Sequence, residues 1–239
     1  MSEEERPRSS GPRFFGRRQG RPLRINARTL IDSLLPRIAI TAPEPGETLD
    51  PRILFPRPMR EIWLEVGFGG GEHLAAQAAA HRDVGLIGSE VFLNGVAALL
   101  GHVQREQLDN LRVYAEDVRH LFPALPDACF ARIFVLFPDP WPKNRHAERR
   151  FIGPENLPTL ARLMPEGAEL RVATDEPVYK EWAVEQLEAS PHFVSASPDP
   201  TIRPADSEWP QTRYEQKAVR EGRTSIYLRY IRKDKPGVK

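Results

Sequence analysis

The segment from Phe137 to Arg150, FPDPWPKNRHAERR, brings together an acid, a tryptophan and several basic residues. It begins at the end of the run ARIFVLF, residues 131–137, whose short, aromatic and β-branched composition predicts a buried strand of a parallel sheet. Asp139 therefore lies beyond the carboxyl end of that strand, at the edge of an open α/β sheet where ligands bind. Prolines on both sides of Asp139 restrict the backbone there. This composition is typical of a catalytic loop that faces a polyanion. The alternative is a solvated connector, which the presence of Trp141 disfavours.

Short apolar strands and helices alternate around this loop. The pattern predicts an α/β fold with a mostly parallel sheet, helices on both faces and a late antiparallel strand. The chain of 239 residues suffices for one such catalytic domain, at residues 51–239, preceded by a basic arm and connector at residues 1–50. We predict strands at residues 61–66, 84–90, 111–117, 131–137, 168–174 and 225–233, and helices at residues 29–35, 72–82, 93–107, 155–163 and 176–189.

A carboxylate stands at or beside the end of each of the first five predicted strands. A single acid in such a position is usually a helix cap or a solvated turn residue. Because parallel strands end at one edge of the sheet, we expect the five acids to line a common crevice, where their mutual repulsion calls for a ligand or for bases. The five acids are Glu65, Glu90, Asp117, Asp139 and Asp175.

A glycine-rich turn follows the first strand, with Gly67, Gly69 and Gly71 arranged as E-x-G-x-G-x-G after Glu65. Glycine lets a ligand approach the backbone closely. A dinucleotide fingerprint would require a third glycine at position 72, but that residue is Glu72, whose carboxylate would repel a pyrophosphate. The turn is better suited to a nucleoside that carries positive charge and no phosphate, and S-adenosylmethionine has this chemistry.

The next two acids suit the same ligand. Glu90 ends the second strand, at the position of an acid that accepts hydrogen bonds from ribose hydroxyls. Asp117 ends the third strand and is then expected near the adenine. A glycine-rich turn alone is a weak signal, and the two acids in sequence strengthen it.

An arginine-rich arm precedes the predicted domain. The net charge of the chain is only +1, yet every charged residue from position 6 to position 28 is an arginine. Segments of this kind bind phosphate groups, whereas the alternatives are a solubilising or a targeting tail. We expect the arm to bind nucleic acid and its removal to leave cofactor affinity unchanged. The arginines are Arg6, Arg8, Arg13, Arg17, Arg18, Arg21, Arg24 and Arg28.

Several classes of protein are disfavoured by composition. Cys129 is the single cysteine, which excludes an intrachain disulfide and suits a reducing cytoplasm. The histidines and cysteine form no grouping that suggests a metal site. No stretch approaches the roughly 20 apolar residues of a membrane span. We expect no secretory signal, because no apolar region of useful length follows the charges of the arm. We therefore predict a cytoplasmic protein without metal or membrane contact, either a monomer or a weak homodimer.

Three segments carry a specific resemblance: FPDPWPKNRH at residues 137–146, ATDEPVYKEW at 173–182 and TRYE at 212–215. Through them the chain resembles the tRNA (guanine-N7-)-methyltransferase family, of the bacterial single-chain type, over nearly its whole length. The resemblance implies a Rossmann-like class I S-adenosylmethionine-dependent methyltransferase fold. Gly70, where members often carry a larger residue, and Pro142, where some carry a polar one, are small departures.

The resemblance also implies an activity and residue roles. The family methylates N7 of a guanosine in the variable loop of tRNA, with S-adenosylmethionine as the methyl donor. Asp139 would be the catalytic residue. The cofactor would be bound by Glu65, Glu90, Asp117 and Asp139, beside the turn at Gly67 and Gly69, and the tRNA by Lys143, Asp175, Thr212, Arg213, Tyr214 and Glu215.

Guanine N7 carries a lone pair and no proton, so methyl transfer to it requires alignment but no general base. We expect Asp139 to stabilise the positive charge that develops on the guanine, or to hold the base through N1 and N2. Trp141 either stacks on a base or packs within the protein. His146 is expected to be structural. Four basic residues are candidates for phosphate contacts, the last two with the alternative of a solvated helix start: Lys143, Arg145, Arg149 and Arg150.

Other functions remain open from the residues alone. An NAD-dependent oxidoreductase on a similar sheet is disfavoured by Glu72, and a non-catalytic RNA-binding module by the cofactor edge. A methyltransferase for small molecules would have no use for the arginine arm.

Overall fold

The structure is a computed structural model, which describes residues 16–196, 199, 201–205 and 209–234. Within these residues the chain forms a seven-stranded sheet in the order β3-β2-β1-β4-β5-β7-β6. Neighbouring strands among the first five are parallel, whereas β7 runs antiparallel to β5 and β6. The strands are β1 (Glu61–Val66), β2 (Val84–Ser89), β3 (Leu111–Tyr114), β4 (Arg132–Leu136), β5 (Glu169–Thr174), β6 (Phe193–Ser195) and β7 (Ile226–Arg232).

Helices cover both faces of the sheet. They are α1 (Ile25–Ser33), α2 (Leu35–Ile38), α3 (Glu72–Ala80), α4 (Leu93–Glu106), α5 (Leu157–Leu163), α6 (Pro177–Ala189) and α7 (Arg213–Arg220). Short 3₁₀ helices lie at Pro51–Leu54, Val118–His120, Phe122–Ala124 and Asn144–Arg149. The predicted α/β class and the late antiparallel strand are confirmed.

The core forms two apolar layers, one on each side of the sheet. On one side Leu64 and Val172 pack with α5 and α6, and on the other Leu86 and Phe134 pack with α3 and α4. All six residues of β2 are buried, as expected of a central strand covered on both faces. Each fully buried aliphatic side chain contributes about 1.5–3 kcal/mol to folding. The layers therefore hold the strand ends, and the loops after them, in fixed positions.

The register aligns the carboxyl ends of three strands. Val66 of β1 pairs with Ser89 of β2 on one side and with Val135 of β4 on the other. The loops that leave these strands, which begin at Gly67, Glu90 and Phe137, therefore start side by side.

The structure corrects some details of the predicted elements. The strict β-α alternation fails between β3 and β4, where the described chain has two 3₁₀ helices and no α-helix, since Pro123 and Pro126 interrupt the segment. The first helix begins at Ile25 rather than at residue 29. The short edge strand β6 and the largely polar helix α7 were not predicted, because β6 has only three residues and α7 contains few apolar residues.

Candidate cofactor pocket and catalytic loop

A cavity of about 340 Å³ opens at the carboxyl ends of the parallel strands. Its walls come from the glycine-rich turn, from the loops after β2, β3 and β4, and from the start of α7. Among the residues that line it are Gly67, Gly69, Glu90, Asp117, Asp139, Trp141 and Tyr214. It lies where an open α/β sheet is expected to bind ligands.

The glycine-rich turn fits between two elements that leave no room for a side chain. Gly69 has a φ of 58°, and a Cβ placed on it would lie 2.8 Å from the ring of Tyr214. On the opposite side, a Cβ on Gly95 of α4 would lie 2.2 Å from the carbonyl oxygen of Gly69. The backbone of Gly69 is therefore held between α4 and the aromatic ring.

Glu90 joins the turn to the start of α4. Its Oε2 accepts a hydrogen bond of 2.9 Å from the backbone N–H of Gly69, and its Oε1 one of 2.8 Å from that of Phe92. Burial raises the pKa of Glu90, and the charge of Asp139 adds to the effect. Each oxygen of an ionised carboxylate has a further lone pair, so Glu90 can also accept hydrogen bonds from a ligand.

Asp117 lines the pocket with a carboxylate that already has partners. The backbone N–H of Arg119 donates to Oδ1 at 3.0 Å, which caps a short 3₁₀ helix. The guanidinium of Arg119 lies against the same carboxylate, with Nη2 at 2.6 Å from Oδ2. A ligand that binds Asp117 must therefore share it with Arg119.

Asp139 lies in a backbone that is held in an unfavourable conformation. Phe137 has a φ of 50° and Trp141 a φ of 42°, values that bulky side chains rarely adopt. The side chain of Asp139 stays accessible at the mouth of the pocket, yet partial burial raises its pKa. The strained loop thus presents a carboxylate to the cavity.

Arg150 holds the loop around Asp139 through its backbone. Its Nε donates to the carbonyl oxygen of Pro140 at 3.1 Å and its Nη2 to that of Trp141 at 3.0 Å, while its guanidinium lies 4.9 Å from the ring centre of Trp182. Arg150 is only 5% exposed. Both roles considered for it, the phosphate contact and the solvated helix start, are therefore wrong, because the residue is buried and its charge is directed at the loop carbonyls.

Trp141 lines the cavity and stacks with basic neighbours. The guanidinium of Arg149 lies 5.1 Å from the centre of its ring, and the ring of His146 lies edge-on at 6.0 Å. Burial and the nearby cations lower the pKa of His146. Trp141 is therefore positioned both to pack and to face a ligand.

The TRYE segment divides into two roles. Thr212 caps α7 by accepting a hydrogen bond of 3.1 Å from the backbone N–H of Glu215. The buried carboxylate of Glu215 accepts hydrogen bonds from Arg203 and, at 2.6 Å, from the hydroxyl of Tyr227. Tyr214, which is 45% exposed, lines the cavity. Thr212 and Glu215 therefore hold the start of α7, which positions Tyr214 at the cavity.

The expectation that five acids share one crevice is wrong, because the cavity is lined by three of them. Asp175 does not line the cavity, and its Oδ2 lies 2.7 Å from Nε of Arg223. Lys143, a predicted substrate contact, is exposed and does not line the cavity either. Glu65 is buried beneath the glycine-rich turn, where it contacts His73. Arg213 lies outside the lining too, with its Nε 3.8 Å from a carboxylate oxygen of Glu72.

The carboxyl-terminal end of the arginine arm forms part of the pocket wall. The sequence did not indicate this contact. Gly16 and Arg17 line the cavity. Asn94 at the start of α4 fastens the following residues, since it accepts from the N–H of Gly20 at 2.8 Å and donates to the carbonyl oxygen of Arg21 at 2.8 Å. An asparagine near a helix start was the available signal, but its partners lie more than seventy residues away. Residues 1–15 of the arm lie outside the described part of the chain.

Neither a metal-binding group of side chains nor a helix able to cross a membrane occurs among the described residues. No group of histidine, cysteine, aspartate and glutamate side chains there could hold a metal ion. Likewise, none of the helices in that part of the chain combines the length and the apolar character needed to cross a membrane.

The chain shares its fold with methyltransferases of known structure. The structure is similar to that of the 16S rRNA methyltransferase KamB, with a TM-score of 0.55 and 16% identity over 74% of this chain and 89% of the other. It is also similar to an rRNA methylase from Streptococcus thermophilus, with a TM-score of 0.50 and 10% identity over 73% and 87% of the two chains. At such identities the similarity shows the fold alone.

Sequence comparison is more specific. Residues 59–228 match the family model described as "Putative methyltransferase". A protein of Paramagnetospirillum magneticum named tRNA (guanine-N(7)-)-methyltransferase is 58% identical, with 93% of each chain covered. One of the same name from Rhodospirillum rubrum is 53% identical over 92% of this chain and 88% of its own length. The chain belongs to the tRNA (guanine-N7-)-methyltransferase family.

Proposed function

We propose that this protein transfers the methyl group of S-adenosylmethionine to N7 of a guanosine in tRNA. The observation that carries the proposal is the placement of Glu90, Asp117 and the strained Asp139 loop around one cavity, in a chain of this family. The position of the guanosine in the variable loop follows from the resemblance of the motifs.

The cavity supports binding of the cofactor at the glycine-rich turn. The backbone of Gly67 and Gly69 can approach the ligand closely, Glu90 can accept hydrogen bonds from ribose hydroxyls, and Asp117 can accept one from the adenine amine. The cofactor supplies an electrophilic methyl group on a positively charged sulfonium. Four acids line the cavity beside three arginines, and the carboxylates can complement the charge of such a ligand.

Methyl transfer to N7 requires the lone pair of the guanine to face the methyl carbon, and the sulfur leaves with the bonding electron pair. Because N7 carries no proton, the protein need not remove one. Asp139 lines the same cavity, which supports a role for it in holding the base and in stabilising the cationic guanine that forms. The rigidity of its loop limits the reorganisation required at that moment.

The basic residues around the catalytic loop are proposed to bind tRNA phosphates. Lys143 and Arg145 are exposed there, and Arg213 is exposed at the start of α7. Tyr214 is proposed to contact the substrate at the cavity. Asp175, Thr212 and Glu215 are substrate contacts by resemblance only, and their contacts in this structure suit support of the neighbouring segments.

The experiment uses the full chain, radiolabelled S-adenosylmethionine and two tRNA transcripts that differ only at the target guanosine. With 7-deazaguanosine at that position, the nucleophile is lost while the Watson–Crick edge and phosphates remain. We expect binding to persist and transfer to disappear. Methylation of the 7-deaza tRNA at the normal rate would contradict the assignment of N7.

The variant Asp139→Asn separates charge stabilisation from proton abstraction. We expect it to lower the transfer rate without introducing a new dependence on pH near neutrality, since it removes a complementary charge. If the wild-type rate instead follows the titration of one group and the variant loses that dependence, Asp139 acts as a base.

A further inference from the structure

A buried acid–histidine pair joins the two ends of the glycine-rich turn. Glu65 is the penultimate residue of β1 and His73 the second residue of α3, so the turn lies between them in the chain. Oε2 of Glu65 and Nδ1 of His73 are 2.6 Å apart, and the side chains are 3% and 1% exposed.

The imidazole of His73 is held on its other sides as well. The side-chain nitrogen of Gln77, one helical turn later, lies 3.3 Å from Nε2. This arrangement fits a histidine whose Nδ1–H donates to Glu65 while Nε2 accepts from Gln77. The ring of Phe134 packs edge-on at 4.8 Å and that of Trp209 lies at 6.4 Å. The position of His73 is therefore fixed by its surroundings.

The pair lies under the turn rather than in the cavity. Val66 and Gly67 line the cavity, whereas Glu65 and His73 are absent from its lining. Phe68 of the turn is itself buried, and its carbonyl oxygen accepts a hydrogen bond of 2.9 Å from the N–H of Gly71. The carboxylate of Glu65 is thus directed at His73 and does not line the cavity.

We propose that His73 is a positioning residue of the cofactor site and that Glu65 acts through it, by clamping the turn, rather than by contact with the cofactor. This inference rests on the proposed binding of S-adenosylmethionine. A buried carboxylate is costly unless it is paired, so its hydrogen bond to His73 favours the conformation in which β1 and α3 hold the turn closed. A preformed turn spares the ligand the cost of ordering it.

The test is calorimetric titration of S-adenosylhomocysteine into the full-length protein. His73→Phe keeps a ring of similar size but removes the hydrogen bond, and we expect the dissociation constant to rise about tenfold, as when one molecule in ten retains the competent turn. Glu65→Gln can still accept from Nδ1–H and should stay within about threefold of wild type. The double variant Glu65→Leu/His73→Phe should cost less than the sum of its single changes, because no buried charge is left unpaired.

Asn110→Ala is the matched control for a general loss of stability. Asn110 is buried in the same half of the sheet, where its amide donates to the carbonyl oxygens of Ala78, His81 and Val84. It should lower the melting temperature without changing the affinity. Steady-state methyl transfer measured over a range of cofactor concentrations should also separate the effects, since His73→Phe is expected to raise the KM for the cofactor much more than it lowers kcat.

Two results would overturn the inference. If Glu65→Gln loses affinity while His73→Phe keeps it, Glu65 contacts the cofactor directly. If His73→Phe lowers the melting temperature as Asn110→Ala does and leaves the affinity unchanged, the pair only stabilises the fold. Failure of the wild-type protein to bind S-adenosylhomocysteine would instead contradict the proposed function itself.

Discussion

Replacement of Arg150 by methionine should weaken catalysis without removing any group that touches the substrate. The buried guanidinium donates to the carbonyl oxygens of Pro140 and Trp141, in a loop where Phe137 and Trp141 have positive φ angles. Hydrogen bonds from a charged donor are worth about 1.5–3 kcal/mol each, and each strained residue costs about 1–3 kcal/mol. Methionine fills much of the space but provides no donor, so the strain is no longer opposed.

If the active conformation of the loop loses the equivalent of one of these hydrogen bonds, about 1.5–3 kcal/mol, the kcat/KM for tRNA falls about 10- to 150-fold. The assay is steady-state methyl transfer, together with calorimetric titration of S-adenosylhomocysteine. Affinity for the latter should change little, since the glycine-rich turn and Glu90 are untouched.

Arg162→Met is the matched control, because Arg162 also donates to loop carbonyls, those of Leu125 and Phe122 at 2.8 Å each, outside the catalytic loop. It should reduce stability and spare kcat/KM. Equal activity of Arg150→Met and wild type would refute the idea that Arg150 holds the loop in its active conformation.

Three further predictions concern the walls and the charges of the cavity. Deletion of residues 1–15 should weaken tRNA binding and make it less dependent on salt concentration. Deletion of residues 1–21 should also weaken S-adenosylhomocysteine binding, because Gly16 and Arg17 line the cavity. Equal affinity of the two truncated proteins for S-adenosylhomocysteine would contradict this prediction. Gly95→Ala should destabilise the protein by about 1–3 kcal/mol and impair cofactor binding, since its Cβ would collide with the carbonyl oxygen of Gly69. Gly101→Ala, in open space on the same helix, should stabilise by about 0.5–1 kcal/mol, and chemical denaturation compares the two. Burial raises the pKa of both Glu90 and Asp139, and a cationic ligand favours their ionised forms, so affinity for S-adenosylmethionine should fall as the pH drops from neutral toward those raised pKa values. The fall should be shallower for S-adenosylhomocysteine, which lacks the sulfonium charge, and identical slopes in calorimetry at several pH values would argue against this linkage.

From the sequence alone, we expected removal of the arm to leave cofactor affinity unchanged. The structure limits that expectation to residues 1–15, because Gly16 and Arg17 line the cavity. Composition revealed the arginines of the arm and their affinity for phosphate, but gave no sign that residues 16–21 pack on the start of α4. The contacts that fasten this segment come from Asn94 and from the N–H of Leu93, which donates to the carbonyl oxygen of Arg18 at 2.9 Å. Contacts over such a separation in sequence depend on packing and leave no local pattern.

The acids at the strand ends show how much of the site hydrophobic periodicity can predict. Apolar runs located β1, β2, β4 and β5, and the rule that parallel strands end at one edge placed Glu90, Asp117 and Asp139 around one cavity. The same rule failed for Glu65. It lies inside the strand rather than beyond it, so the direction of its side chain is set by the pleat and by the helix that covers that face.

Two adjacent arginines after Asp139 show what the sequence pattern does not determine. In the run NRHAERR, Arg149 and Arg150 are adjacent and chemically identical, yet Arg149 stacks on Trp141 while Arg150 is buried against loop carbonyls and Trp182. The residue types and their order are enough to predict an α/β fold, a nucleoside site at the strand ends and a basic catalytic loop. Which of the charged side chains face the ligand and which support the backbone depends on burial, and burial is decided by contacts between segments distant in the chain.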